Sequence, residues 1–415
     1  MVAVLLSLSM MLATCSGTIS TLAASSTTTT SEITDMTTNY QAEPLGIETD
    51  NLRFGWQMQS NIIGIEQTSY QIVVTNEENG AIVWDSGVVN SGISSAIPYG
   101  GDINAFELET RYNWTVTVTD NCGGKQTATS WFETGTDWDN AQWITSQGWT
   151  SFYMEEQSFE TNWGTKTEQV PVSGSAGPLF RTERQLENKK IEKARLYITS
   201  LGTYEAYING RQVQKEVNSI MSPGYTDYSS YVNYQTYDVT DYLNNANDTV
   251  TLSAVVAGGW YDDIIGNHCN YESAIGQEEL REHALYADLV ITYEDGSEQS
   301  IVTDGDWNST DDSFIESSGI YQNVSYNNQR AEELNGWTDA GFEDSNWDNA
   351  AVLGQANCDV RANPTNEINE YQTHPYQEAF VYTNTDDSGK PIVEQSYQAG
   401  EQIQLKAGQK LVLNF

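Results

Sequence analysis

The residues with the clearest chemical potential sit together at Trp260-Tyr261-Asp262-Asp263. Two aromatic rings offer a flat apolar surface on which a sugar can stack, and the two carboxylates supply hard oxygen ligands of the kind calcium takes. The competing reading makes Trp260 a core residue at a strand end and leaves both aspartates in solvent. Asp304-Gly305-Asp306-Trp307 mimics part of a calcium loop, but the bidentate Glu is missing at the required spacing, and the segment reads as a turn. His268 beside Cys269 places a base next to a nucleophile, yet neither a Gly-x-Ser-x-Gly elbow nor a base-orienting partner accompanies them. Tyrosines at 225, 228, 231, 234 and 237 recur every three residues. That spacing would suit an exposed aromatic stripe, but Pro223-Gly224 ahead of them favours a turn and then an edge strand, its rings packed on neighbours. Acid–base work by paired carboxylates needs two carboxyls held within about 10 Å of each other. With 58 Asp and Glu some pair meets that distance by chance, so no catalytic residue is assigned.

Composition narrows the partners. Lys and Arg number 18 against 58 Asp and Glu, a formal charge of −40 with a pI near 4.1. Such a surface repels phosphate backbones and anionic head groups, which argues against nucleic acid and against a polybasic membrane contact. The three histidines (His268, His283, His374) cannot build a multi-histidine metal site, and the four cysteines (Cys15, Cys122, Cys269, Cys358) contain no Cys-x-x-Cys. No metal ligand set is assigned and no cofactor is required. Calcium enters only through the aspartates named above.

The apolar run Val2–Ala13 is too short for a membrane span of about 20 residues and suits a secretory signal over residues 1–24. A second reading is a lipid anchor on Cys15, since Leu12-Ala13-Thr14-Cys15 resembles a lipoprotein box with Thr at an unusual position. A third is a plain buried segment. Residues 25–50 read as a Ser/Thr-rich linker. From there the hydrophobic period is two. Leu52, Phe54, Trp56 and Met58 alternate with polar or small residues, as do Tyr70, Ile72 and Val74, and Tyr112, Trp114, Val116 and Val118. Turn signals at Asn79-Gly80, Gly100-Gly101 and Gly123-Gly124 divide them, predicting a two-sheet sandwich over 51–139. Residues 140–177 read as a second linker.

A further β domain is expected over 178–356. Its strands include Ala194–Leu201, Tyr204–Ile208, Asn233–Val239, Thr249–Val256 and Tyr286–Tyr293, with a hairpin turn at Asp295-Gly296. Asp238-Val239-Thr240-Asp241 reads as a capped helical turn. Residues 357–415 hold short strand candidates at Val381–Tyr382, Ile392–Glu394, Ile403–Leu405 and Lys410–Leu413, as the start of a third sandwich. The chain is therefore expected to be all-β, a series of tandem sandwiches.

Leu196–Gly210 (LYITSLGTYEAYING), Ser222–Tyr228 (SPGYTDY), Tyr237-Asp238-Val239-Thr240 and Gly258-Gly259-Trp260-Tyr261 occur in the order seen in the N-terminal jelly-roll domain of bacterial α-L-rhamnosidases, and the second β domain resembles it. Gly336-Trp337 and Phe342–Trp347 match its closing motif. Upstream, Trp84-Asp85-Ser86-Gly87 and the Tyr112-Asn113-Trp114 strand resemble the fibronectin type III-like domain that precedes the jelly roll in that family. Two features depart from the pattern. Tyr321–Arg330 keeps tyrosines and an arginine but carries Val324 and Asn327 where the family has carboxylates. Asn414-Phe415 occupies the first two places of an Asp-Phe-Gly-Gln-Asn motif in a concanavalin-like sandwich, which makes 357–415 the start of a truncated domain.

The resemblance implies an exported, secreted or cell-surface bacterial protein acting on rhamnose-containing glycans. The whole enzyme would hydrolyse terminal non-reducing α-L-rhamnose with inversion, using a downstream α-helical toroid. The toroid's Asp-Glu-Arg motif does not occur here, so the chain is expected to be a fragment that hydrolyses nothing alone and supplies scaffold and sugar-binding domains. Some family members bind rhamnose through calcium in this jelly roll. The rivals are a free-standing carbohydrate-binding or adhesive surface protein and a structural surface-layer module.

Overall fold

The computed structural model describes residues 31–415 apart from 139, 148–152, 162–163, 173–175, 217–218, 229, 244–247, 262–282, 321–322 and 355–357. The signal and lipid-anchor readings of residues 1–24, and the His268–Cys269 pair, lie outside the described residues. The chain divides into two compact units, the first ending at Asp137 and the second beginning at Trp138.

The first unit contains β1 (Ser31–Thr38), β2 (Arg53–Ser60), β3 (Gln67–Asn76), β4 (Ile82–Asp85), β5 (Ile97–Pro98), β6 (Arg111–Asp120) and β7 (Lys125–Glu133). One sheet runs β1-β2-β5 and the other β4-β3-β6-β7, all antiparallel. The alternating residues point inward as their period requires: Phe54, Ile72, Val74, Tyr112, Trp114, Val116 and Phe132 are inaccessible to solvent. Phe54 packs on Trp114 with ring centroids 4.9 Å apart.

Strand β1 corrects the assignment of residues 25–50 to a linker. Ile33 and Met36 are the only apolar residues of its sequence SEITDMTT, its most buried positions are Ser31 and Thr38, and a register shift between Thr34 and Thr37, with Asp35 at φ 48°, breaks the alternation that would reveal a strand.

The second unit opens with β8 (Ile144–Thr145), the hairpin β9 (Tyr153–Thr161) and β10 (Gly164–Val172), and β11 (Leu179–Gln185). There follow β12 (Ile191–Leu201), β13 (Thr203–Ile208), β14 (Arg211–Gln212), β15 (Tyr231–Asp238), β16 (Thr249–Ala257), β17 (Ala284–Tyr293), β18 (Glu298–Val302) and β19 (Asn308–Thr310). The remainder are β20 (Ile315–Gly319), β21 (Asn323–Tyr326), β22 (Asp348–Asn349), β23 (Ala351–Val352), β24 (Asp359–Ala362), β25 (Glu378–Thr385), β26 (Pro391–Gln398) and β27 (Lys410–Asn414).

Two sheets form a jelly roll, one in the order β14-β13-β16-β11-β19-β22 and one in the order β23-β8-β17-β12-β15-β24, with β18 also paired to β17. Leu196, Ile198 and Leu289 of one sheet and Phe180, Ile208 and Leu252 of the other share a single buried cluster. Asp238 Oδ1 accepts from Thr240 N (3.1 Å) and caps the helical turn Thr240–Leu243, as expected.

Two boundaries move. Ile144–Thr145, placed in the 140–177 linker, pairs with β17 and β23, and β9 and β10 form a hairpin in the same stretch. A two-residue strand carries no period, and its partners lie far away in sequence. Asp359–Ala362, placed in the third segment, pairs in parallel with β15, so the jelly roll extends past residue 356. In that segment the strands form the sheet β26-β25-β27, and Ile403–Leu405 is not a strand.

Candidate functional site

Trp260 and Tyr261 follow β16 in a turn closed by Tyr261 N donating to Gly258 O (3.0 Å). Tyr261 is a core residue, 1% exposed, packed with Trp143, Leu201, Tyr228 and Val232. It cannot stack on a sugar. The sequence cannot distinguish an aromatic that folds under such a turn from one that stands out from it. Trp260 is half-buried, its ring 6.2 Å from that of Tyr225. Asp262 and Asp263 lie outside the described residues. Of the tyrosine series, Tyr228, Tyr234 and Tyr237 are buried, Tyr231 is half-buried and Tyr225 is 57% exposed. A three-residue spacing along a strand alternates faces, so the rings divide between separate clusters.

Asp304–Trp307 is a turn, with Asp304 Oδ1 accepting from Asp306 N (2.9 Å) and Trp307 fully buried. Asn327, where the family pattern has a carboxylate, caps the helix Asn328–Glu333 by accepting from Arg330 N (3.1 Å). Among the described residues no group of three or more His, Cys, Asp or Glu could hold a metal ion.

A cleft of about 310 Å³ opens among residues that carry no catalytic or metal-binding motif. Its walls are the loop 220–225, the start of β15 and the segment 363–368 that follows β24. Backbone hydrogen bonds tie these walls together: Ile220 N donates to Ile368 O (2.8 Å), and Asn363 N to Tyr234 O (3.0 Å). Tyr231, Asn233, Gln235 and Tyr237 share one face of β15, which passes from the cleft at Tyr231 to the core at Tyr237.

Beneath the cleft runs a hydroxyl network. Tyr204 donates to Gln235 Oε1 (2.8 Å), Gln235 Nε2 to Pro223 O (3.1 Å), and the Tyr237 hydroxyl lies 3.3 Å from those of Tyr204 and Ser222. Ser219 Oγ donates to Glu367 Oε2 (2.8 Å) and Asn363 Nδ2 to Glu367 Oε1 (3.0 Å). Burial, followed by the charge of Glu367, pushes the Tyr237 hydroxyl up to about 12, and burial raises Tyr204 well above the usual tyrosine value. The buried Asn233 Oδ1 has no hydrogen-bond partner in this arrangement. At the rim the Arg361 guanidinium lies 4.9 Å over the Tyr231 ring.

Residues 189–377, which include every wall of this cleft, match the family model described as the α-L-rhamnosidase N-terminal domain, and residues 33–137 match the Rha78A-like, N-terminal immunoglobulin domain. The chain carries the N-terminal domains of the α-L-rhamnosidase family. An α-L-rhamnosidase of Formosa agariphila is 28% identical over 357 residues, covering 82% of this chain and 36% of its own length. Another, from Alteromonas sp. (strain LOR), is 25% identical and covers 89% of this chain and 39% of itself. The chain thus spans well under half the length of these relatives.

Among solved structures, the Streptomyces avermitilis α-L-rhamnosidase complexed with L-rhamnose superposes with a TM-score of 0.67 at 21% identity, covering 87% of this chain and 52% of its own. The enzyme of Dictyoglumus thermophilum gives 0.66 at 22% identity, covering 92% and 45%. These likenesses establish the rhamnosidase N-terminal fold.

Proposed function

We propose that this chain is the non-catalytic front of an exported glycoside hydrolase that removes terminal α-L-rhamnose from glycans by single displacement with inversion. The tandem of an immunoglobulin-type domain at 33–137 and the rhamnosidase N-terminal domain at 189–377 carries this reading. Its domains act as a scaffold for a catalytic domain elsewhere in the whole protein. The apolar run Val2–Ala13 supports export to the cell surface or beyond it. No cofactor is needed, and calcium belongs to the reading only through Asp262 and Asp263.

The test compares two proteins on an aryl α-L-rhamnoside. The whole gene product releases nitrophenol and gives the inverted sugar, whereas the purified 415-residue chain releases none. Release that scales with the concentration of the 415-residue chain would overturn the scaffold reading.

A further inference from the structure

We propose that the cleft between loop 220–225, β15 and segment 363–368 is a calcium-independent binding site for a neutral sugar residue. The choice of probe sugars rests on the rhamnosidase reading; the site itself rests on the cleft's own chemistry.

Charge comes first. The protein carries −40 overall, yet the cleft is lined by one carboxylate, Glu367, and by no Lys or Arg. Both Glu367 oxygens already accept hydrogen bonds, from Ser219 and Asn363. Arg361 at the rim is paired with Asp359 (2.6 Å), so a charged ligand would find no unpaired counter-charge there. An uncharged ligand rich in hydroxyls finds what it needs.

The polar groups are the second observation. Asn233 Oδ1 is a buried acceptor without a donor, and leaving such a group unpaired costs roughly 1–3 kcal/mol. The oxygen is shielded from solvent, so a ligand hydroxyl reaches it once the Asn233 side chain turns toward the cleft it lines. Thr365 and Asn366 add an exposed hydroxyl and an exposed amide on the opposite wall.

The apolar surface is the third. The Tyr225 ring stands 57% exposed at the edge, with Ile220 and Met221 beside it, which is a face for C–H groups of a sugar ring. The volume of about 310 Å³ lies at the low end of the roughly 300–1,000 Å³ of small-molecule sites, fitting a mono- or disaccharide. Because backbone hydrogen bonds fix the walls, little ordering is left for the ligand to impose.

Isothermal titration of the 415-residue chain with L-rhamnose, an α-L-rhamnosyl-glucose disaccharide and glucuronate tests the site. Saturable binding of the neutral sugars is expected with Kd on the order of 1 mM, unaffected by a calcium chelator and stronger than that of glucuronate. Tyr225→Ala and Asn233→Ala should each weaken it by about tenfold or more. Tyr225 is exposed, so its variant keeps the test valid even where Asn233→Ala lowers the melting temperature. Absence of saturable heat with both neutral sugars, unchanged affinity in Tyr225→Ala, preference for glucuronate or loss of binding with the chelator each overturns the proposal. None of these outcomes alters the hydrolysis comparison, so the two readings fail separately.

Discussion

Hydroxyl groups rather than carboxylates organise the floor of the cleft. The Tyr204–Tyr237–Ser222 contacts lie in the interior, and Tyr237 keeps its proton to about pH 12, against 10.0 for a free tyrosine. A folded value above the unfolded one means stability is fully present below pH 10 and is lost as pH rises through about 12. Tyr237→Phe removes that titration. The variant should lose about 1 kcal/mol at neutral pH, for the two hydroxyl contacts, and show a shallower fall in denaturant midpoint between pH 10 and 12. A midpoint that falls as steeply as in the parent protein would remove Tyr237 from this role. At single-residue resolution the sequence misleads as often as it informs: Tyr261 has the type of a sugar platform and the burial of a core residue. Asn233 has the type of an ordinary strand residue and, beside the cleft, a buried acceptor oxygen without a donor. Nothing in residue type separates these cases, because the neighbours that decide them come from other strands.

Strands with strong alternation were legible; strands made by their partners were not. The inward residues of β2, β3 and β6 each repeat at period two, and each lies in the first core. β1, β8 and β24 are short, bulged or polar, and only long-range pairing makes them strands. The third of these matters for the site. β24 holds the segment 363–368 against β15, with Asp359 N donating to Ser230 O and Asn363 N to Tyr234 O. A domain boundary at residue 356, which the local signals favour, divides the two halves of the cleft between separate domains. By the two-residue period, Arg361 N faces β15 as well. Arg361→Pro should therefore break this ladder and weaken rhamnose binding by about tenfold or more, while Arg361→Ala, which keeps the backbone donor, should cost much less. Titration of both variants decides it, and equal loss in the two would assign the effect to the guanidinium over Tyr231 instead.

The whole molecule carries a large excess of negative charge, and like charges on one surface repel in the compact state. Screening with salt should raise the melting temperature between about 0.01 M and 0.15 M ionic strength, as the Debye length falls from about 30 Å to about 8 Å. Neutral-sugar affinity should stay flat over the same range, since the cleft offers no unpaired charge. A binding curve that shifts strongly with salt would point to an ionic ligand. Order along the chain was legible because each sandwich is built from local signals, alternation and turns, arranged in the sequence of a known family. The most direct test of the account is a proton NMR spectrum of the 415-residue chain with the α-L-rhamnosyl disaccharide, recorded with saturation of protein resonances. The account predicts saturation transfer to the sugar protons, lost in Tyr225→Ala, while the glycosidic anomeric signal stays constant. Free rhamnose appearing during the experiment, or no transfer to the sugar, would contradict it.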